Sequence, residues 1–216
     1  MRAAAAALGR VPRRSAAGRR GVRAGVAAGV LLAVLVGAVA VQVLPLGGAA
    51  PAPAPARLSP AEAATARAVV RQAEGLVTVS PRALGYRVRI AGPRPDVRAQ
   101  TDTAARTITL FVSPADAPHR VAHDLGHELG HAFDAARLSA AQRAAYLRAR
   151  GAPGAAWWPG RTVSDYRSGA GDFAEVFALC HAASPEFRSR LAPRPRDPCG
   201  LLPPAARTAM LAGGGS

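Results

Sequence analysis

Apolar and polar positions change rhythm several times along the chain. From Ala24 to Leu46 there is no charge, and Gln42 is the one strongly polar side chain. A proline–alanine stretch, Gly47 to Arg57, follows and predicts an extended, stiff linker. "LSPAEAATARAVVRQAEG" then takes helical rhythm, with Ser59 as N-cap, Pro60 in the first turn, Glu62 closing a capping box and Gly75 as the stop. "YRVRI" (Tyr86 to Ile90) alternates as a strand does. "RTITLFV" (Arg106 to Val112) alternates too, with Ile108, Leu110 and Val112 on one face and Pro114 ending it.

A long helical pattern follows, "HRVAHDLGHELGHAFDAARLS". His119, His123, His127 and His131 fall four apart on one face, and Val121, Leu125, Leu129, Ala132 and Ala136 fall on the other. The spacing predicts a core-packed face and a face that lines something wet or metallic. Ser139 and Gln142 form a second capping box, starting a helix that runs to Arg150. A glycine- and proline-rich loop carries Trp157 and Trp158, expected to wall a cleft or anchor the loop to the core. "DFAEVFALCHAAS" (Asp172 to Ser184) is the last helix. Helix, strands, helix, helix, loop, helix is an α+β order.

Charge changes the picture at the N-terminus. The formal net charge is +15, and all 28 basic residues are arginine. Seven of them, Arg2, Arg10, Arg13, Arg14, Arg19, Arg20 and Arg23, precede the apolar run with no acid among them. At 1.5 Å per residue that run reaches roughly 34 Å, enough to cross a bilayer's hydrocarbon core. Arginines on one flank orient it with the N-terminus cytoplasmic. The expected organisation is a basic cytoplasmic tail (1–23), a transmembrane anchor (24–46), a linker (47–57), one folded domain (58–210) and a short tail (211–216). A cleaved signal peptide is the rival reading, with small residues at 47–50 as the cleavage site and a secreted product. The arginines are not interleaved with aromatics and sit on the wrong side of the membrane for nucleic acid, so no nucleic-acid partner is expected. Arg143, Arg148 and Arg150 read as a solvated face. Outside the membrane, Cys180 and Cys199 are compatible with a disulfide tying the last helix to the proline-rich tail.

The histidine helix carries the chemistry. "HELGH" (His127 to His131) places two imidazoles one turn apart, where each can give one nitrogen to the same zinc ion. Glu128 then stands beside the metal as the base for its water. "HDLGH" (His123 to His127) is the competing register, disfavoured by the shorter reach of aspartate. His119 and His123 are expected at the surface or behind the ligands. Gly126 and Gly130 each cost about 1 kcal/mol inside a helix, so they point to close approach by a strand or by substrate backbone. A zinc site with an open position needs a third protein ligand. The best source is the last helix, where Asp172 and Glu175 share a face: one is expected to bind metal and the other to orient a ligand histidine. Asp134, three after His131, is a further candidate behind the ligands.

"HELGHAFD" followed after a loop by "DFAEVFA" resembles the gluzincin metallopeptidases, in particular their compact bacterial members and lethal-factor-type catalytic domains. The resemblance covers Thr107 to His181. It implies a zincin-like fold, a small mixed sheet packed on an HExxH active-site helix, with "RTITLFV" binding substrate in extended form. It implies His127 and His131 as ligands of Zn2+, Glu128 as catalytic base and Tyr166 as the oxyanion donor, with His181 as its alternative. In such families the third ligand opens the last helix as a glutamate. Gly171 stands at that position here, which leaves Asp172 or Glu175. The expected function is a membrane-anchored, extracytoplasmic zinc peptidase acting on a peptide or protein substrate. The competing expectation is a non-catalytic module of the same fold that binds zinc structurally or senses pH through its histidines.

Overall fold

A computed structural model describes residues 53–160 and 164–208. The expected basic tail, the anchor and most of the proline–alanine linker lie outside the described residues. Among the described residues no helix is long and apolar enough to cross a membrane.

Helix α1 (Pro60–Gly75) begins at the expected capping box: the Ser59 amide donates to Glu62, and the Glu62 amide donates to the Ser59 hydroxyl. Its buried face is Ala66, Val69, Val70 and Ala73. Three strands follow, β1 (Arg87–Ala91), β2 (Ala99–Asp102) and β3 (Thr107–Phe111). They form one mixed sheet in the order β1-β3-β2, with β1 parallel to β3 and β2 antiparallel to it. The β2–β3 turn is held by Asp102, which accepts from the Ala105 amide at 2.8 Å. Ile108, Leu110 and Val112 are buried, as their alternation predicts.

Helix α2 (Pro118–Arg137) runs through the middle of the molecule. Its apolar side, Val121, Leu125, Leu129 and Phe133, joins α1 and the sheet in the main core. The histidine side is not an open face. His123, Asp124, His127 and Glu128 are all buried, because the structure packs a further helix and the C-terminal segment over them. Of the expected apolar stripe, Ala136 is exposed.

Helix α3 (Ala140–Ala149) starts at the Ser139–Gln142 capping box. Helix α4 (Gly169–His181) begins three residues before the position read from the sequence. Two glycines weaken its first turn as a helical signal, but Ser168 caps it by accepting from the Gly171 amide at 3.1 Å. Phe173 and Phe177 on α4 are fully buried; each contributes about 1.5–3 kcal/mol by leaving water.

The two glycines of α2 explain how closely α4 lies. A Cβ on Gly130 would sit 2.6 Å from the Ala174 Cα, and one on Gly126 would sit 3.1 Å from the Ala178 Cα. The close approach inferred from these glycines therefore exists, and its source is a helix rather than a strand or substrate. Two short helices, α5 (Pro198–Leu201) and α6 (Pro204–Arg207), complete the described chain. Cys180 at the end of α4 is disulfide-bonded to Cys199 on α5.

Candidate metal centre

The histidines of "HELGH" come from the buried middle of α2, so α4 fixes their backbone from behind. His127 Nε2 and His131 Nε2 lie 3.1 Å apart. A third atom meets them: Asp165 Oδ2 is 3.0 Å from His127 Nε2 and 3.2 Å from His131 Nε2. Among the described residues these three side chains form the group able to hold a metal ion. Asp165 lies in a single 3-10 turn, Asp165–Arg167, just before α4.

The geometry fits a small tetrahedral cation. Bonds of about 2.0–2.1 Å at tetrahedral angles place neighbouring ligand atoms about 3.3 Å apart. The three observed separations are within a few tenths of that value. Without a cation or a proton between them, three lone pairs would face one another at hydrogen-bond distance. His127 Nδ1 is 2.8 Å from Glu175 Oε1, which directs the Nδ1 proton to the carboxylate and the Nε2 lone pair toward the group.

Charge around the group is tightly coupled. Burial works against a charged His127, but hydrogen bonds to Asp165 and Glu175 and the nearby Glu128 outweigh it, so the imidazole titrates well above an ordinary histidine. Burial likewise raises Asp165, yet its bonds to His127 and His131 prevail and carry it well below the usual carboxylate range. Glu175 follows the same pattern: burial raises it, and hydrogen bonds from His123 and His127 bring it down to about 2. A proton and a metal ion would compete for the same nitrogens.

The two acids expected from the last helix have other partners. Asp172 is fully buried and accepts from the Tyr146 hydroxyl (2.6 Å), Arg150 Nε (2.7 Å), Arg150 Nη2 (3.0 Å) and the Ser189 hydroxyl (2.5 Å). It ties α3, α4 and the C-terminal segment together. Arg150, expected on a solvated face, is buried by this pair because Asp172 draws it inward. Glu175 stands behind His127, on the Nδ1 side, and also contacts His123 Nε2 at 3.2 Å. This is the place, behind His127, where the sequence expected one of the two acids to stand. His123 is buried behind the group, and His119 is exposed.

Glu128 lies beside the group, its Oε2 accepting from the Thr101 hydroxyl at 2.7 Å. Thr101 belongs to β2, so the sheet positions this carboxylate. Asp124, the acid of the competing register, has its two oxygens taken by Arg98 Nε (2.8 Å) and Arg188 Nη1 (2.7 Å). Tyr166 packs edge-on against the His127 ring, with centroids 5.3 Å apart. His181 is remote: it contacts the Thr78 hydroxyl and the Ala206 carbonyl, fastening α4 to the ends of the fold. Asp134 accepts from Arg143 and from Trp157 Nε1 and takes no part in the group. That bond fixes Trp157, whereas Trp158 is 54% exposed.

The group opens into a cleft of about 890 Å3. Residues 97–101 form one wall, and Trp158, Pro159 and Tyr166 are among those on its lining. The strand read from the sequence as the substrate strand, "RTITLFV", is β3, and both its edges are already paired. The strand with a free edge at the cleft is β2. Arg98 O accepts from the Phe111 amide, so in an antiparallel ladder Gln100 also pairs inward. Ala99 and Thr101 therefore turn their amides and carbonyls outward.

Asp165 and β2 were the residues that pattern reading missed. One signal was present for Asp165: it is the only acid between Asp134 and Asp172. No family model, no curated protein and no solved structure matches the chain.

Proposed function

We propose that the chain is a zinc-dependent peptidase of the zincin type, hydrolysing peptide bonds outside the membrane that its N-terminal apolar run is read to span. The observation that supports this best is the triangle of His127 Nε2, His131 Nε2 and Asp165 Oδ2, beside Glu128 and open to a cleft. The donor set, two imidazoles and one carboxylate, suits zinc and leaves a fourth position free. Asp165 takes the place left vacant by Gly171, so the departure from the gluzincin pattern does not remove the third ligand.

Bound zinc supplies Lewis acidity and lowers the pKa of water toward about 7. Glu128, held by Thr101, accepts a proton from the attacking water and returns it to the leaving amine as the C–N bond breaks. Tyr166 donates its hydroxyl to the oxygen of the tetrahedral intermediate. The outward amides and carbonyls of β2 pair with an extended peptide. The Cys180–Cys199 bond supports an oxidising compartment, in keeping with the orientation read from the flanking arginines.

Glu128→Gln is the direct test. The variant is expected to retain zinc at the wild-type stoichiometry and to lose peptide hydrolysis against a peptide library. Cleavage at the wild-type rate by this variant would overturn the reading.

A further inference from the structure

The segment Ala183–Asp197 has neither helix nor strand, and none of its residues is buried. Phe187 alone among its side chains packs, partly buried, against the main core. Yet it touches the supports of the metal-type group at several points. The Arg188 amide donates to Glu175 Oε2, the carboxylate that orients His127. The Arg190 amide donates to the Tyr166 carbonyl at 2.7 Å, holding the turn that carries Asp165. Arg188 Nη1 reaches Asp124 on α2, and the Ser189 hydroxyl reaches Asp172 on α4. Both ends are joined covalently, because Cys180 and Cys199 flank the segment.

Closing a loop of this length removes unfolded freedom that a segment with a single partly buried apolar side chain offsets only in part by packing. Partners that orient a ligand histidine typically change metal affinity 10–100-fold when lost. We propose that the disulfide-closed segment is a clamp on the metal centre, with Arg188 as its positioning residue: the bond holds the Arg188 amide on Glu175, and zinc affinity depends on it. The proposal rests on the metal-binding part of the preceding reading and not on peptidase activity.

The experiment measures zinc affinity of the purified full-length chain by competition with a chromophoric chelator, together with the visible spectrum of the cobalt-substituted protein. Wild type is compared with Cys180→Ser/Cys199→Ser, and Arg188→Pro with Arg188→Ala. The alanine variant keeps the amide N–H, and the proline variant lacks it. Expected is at least about tenfold weaker zinc in the double serine variant, and in the proline variant relative to alanine, with an altered cobalt spectrum in both. Should the double serine variant lose its helical circular dichroism, the proline–alanine pair decides. Equal affinities and unchanged spectra would overturn the clamp alone. A wild-type chain that binds no zinc would overturn the metal centre and the clamp with it.

Discussion

A Cβ on Gly171 would lie 2.1 Å from the carbonyl oxygen of Asp165. The first turn of α4 and the turn carrying Asp165 are in backbone contact, and only glycine permits it. Ser168 fastens the same carbonyl from the other side, donating to it at 2.7 Å while capping α4. Gly171, which stands where the resemblance puts a glutamate, is thus the residue that lets the Asp165 turn approach His127 and His131.

Gly171→Ala should therefore push the Asp165 turn away from His127 and His131. Overpacking of this kind costs about 1–3 kcal/mol. The greater effect is expected on metal: a displacement of a few tenths of an ångström leaves one bond too long. Zinc stoichiometry and thermal midpoint measured together check this. A fully stable variant with undiminished zinc would show that the contact is slack.

Asp165→Ala and Asp172→Ala should fail in different ways. The first removes a metal-facing carboxylate that is partly open to the cleft, so the chain should fold and lose zinc. The second leaves Arg150 buried without its partner and Tyr146 without its acceptor. Breaking a buried pair from one side costs about 3–5 kcal/mol. Urea unfolding with elemental analysis separates the two. Loss of zinc from a stably folded Asp172→Ala protein would return the ligand to α4.

How much of this was legible in the sequence depends on how local each cause is. Both capping boxes read directly, because the bonds close within three residues. The β3 alternation, the disulfide pairing and the apolar stripe of α2 apart from Ala136 also read directly, whereas the covering of its histidine face did not. The glycines of α2 announced a close neighbour but not which one, since the alanines that meet them lie on α4. β2 was invisible: "AQTD" has no apolar alternation, and the strand exists through its ladder with β3. Asp172 misled because an acid at a helix start looks available, whereas its partners Tyr146, Arg150 and Ser189 come from elsewhere in the chain. Asp165 becomes a ligand candidate only when the turn folds back over α2.

Protons should compete with zinc, and the metal-free chain should show it. His127 has a folded pKa well above the ordinary value of about 6.5, so its stabilising charge is complete below that value and is lost as pH rises through the folded pKa. Glu175 has a folded pKa of about 2, below the ordinary 4.5, so its contribution is present above 4.5 and is lost as pH falls toward 2. The metal-free protein should be most stable between roughly pH 4.5 and 6.5. Zinc affinity should instead rise with pH, up to about tenfold per unit while His127 must release its proton, and then level off. Thermal midpoints in chelator across pH, beside zinc titrations, test both slopes. A pH-independent zinc affinity would mean that His127 is not a ligand.

The free edge of β2 yields the last prediction. Ala99 and Thr101 point their amides outward, while the carbonyl of Arg98 and the backbone of Gln100 hold the ladder to β3. Proline is tolerated at an edge position whose N–H faces away from the sheet. Ala99→Pro should leave the ladder intact and the zinc stoichiometry unchanged, since Ala99 touches none of the three donors. It deletes one backbone bond to an extended peptide. A hydrogen bond of that kind contributes about 0.5–1.5 kcal/mol, so KM should rise by roughly two- to tenfold while kcat changes less. Gln100→Pro removes an inward bond instead and should destabilise the sheet. Steady-state kinetics and thermal midpoints of the two variants distinguish an edge that binds peptide from one that merely closes the sheet: unchanged KM in Ala99→Pro would place the peptide elsewhere in the cleft.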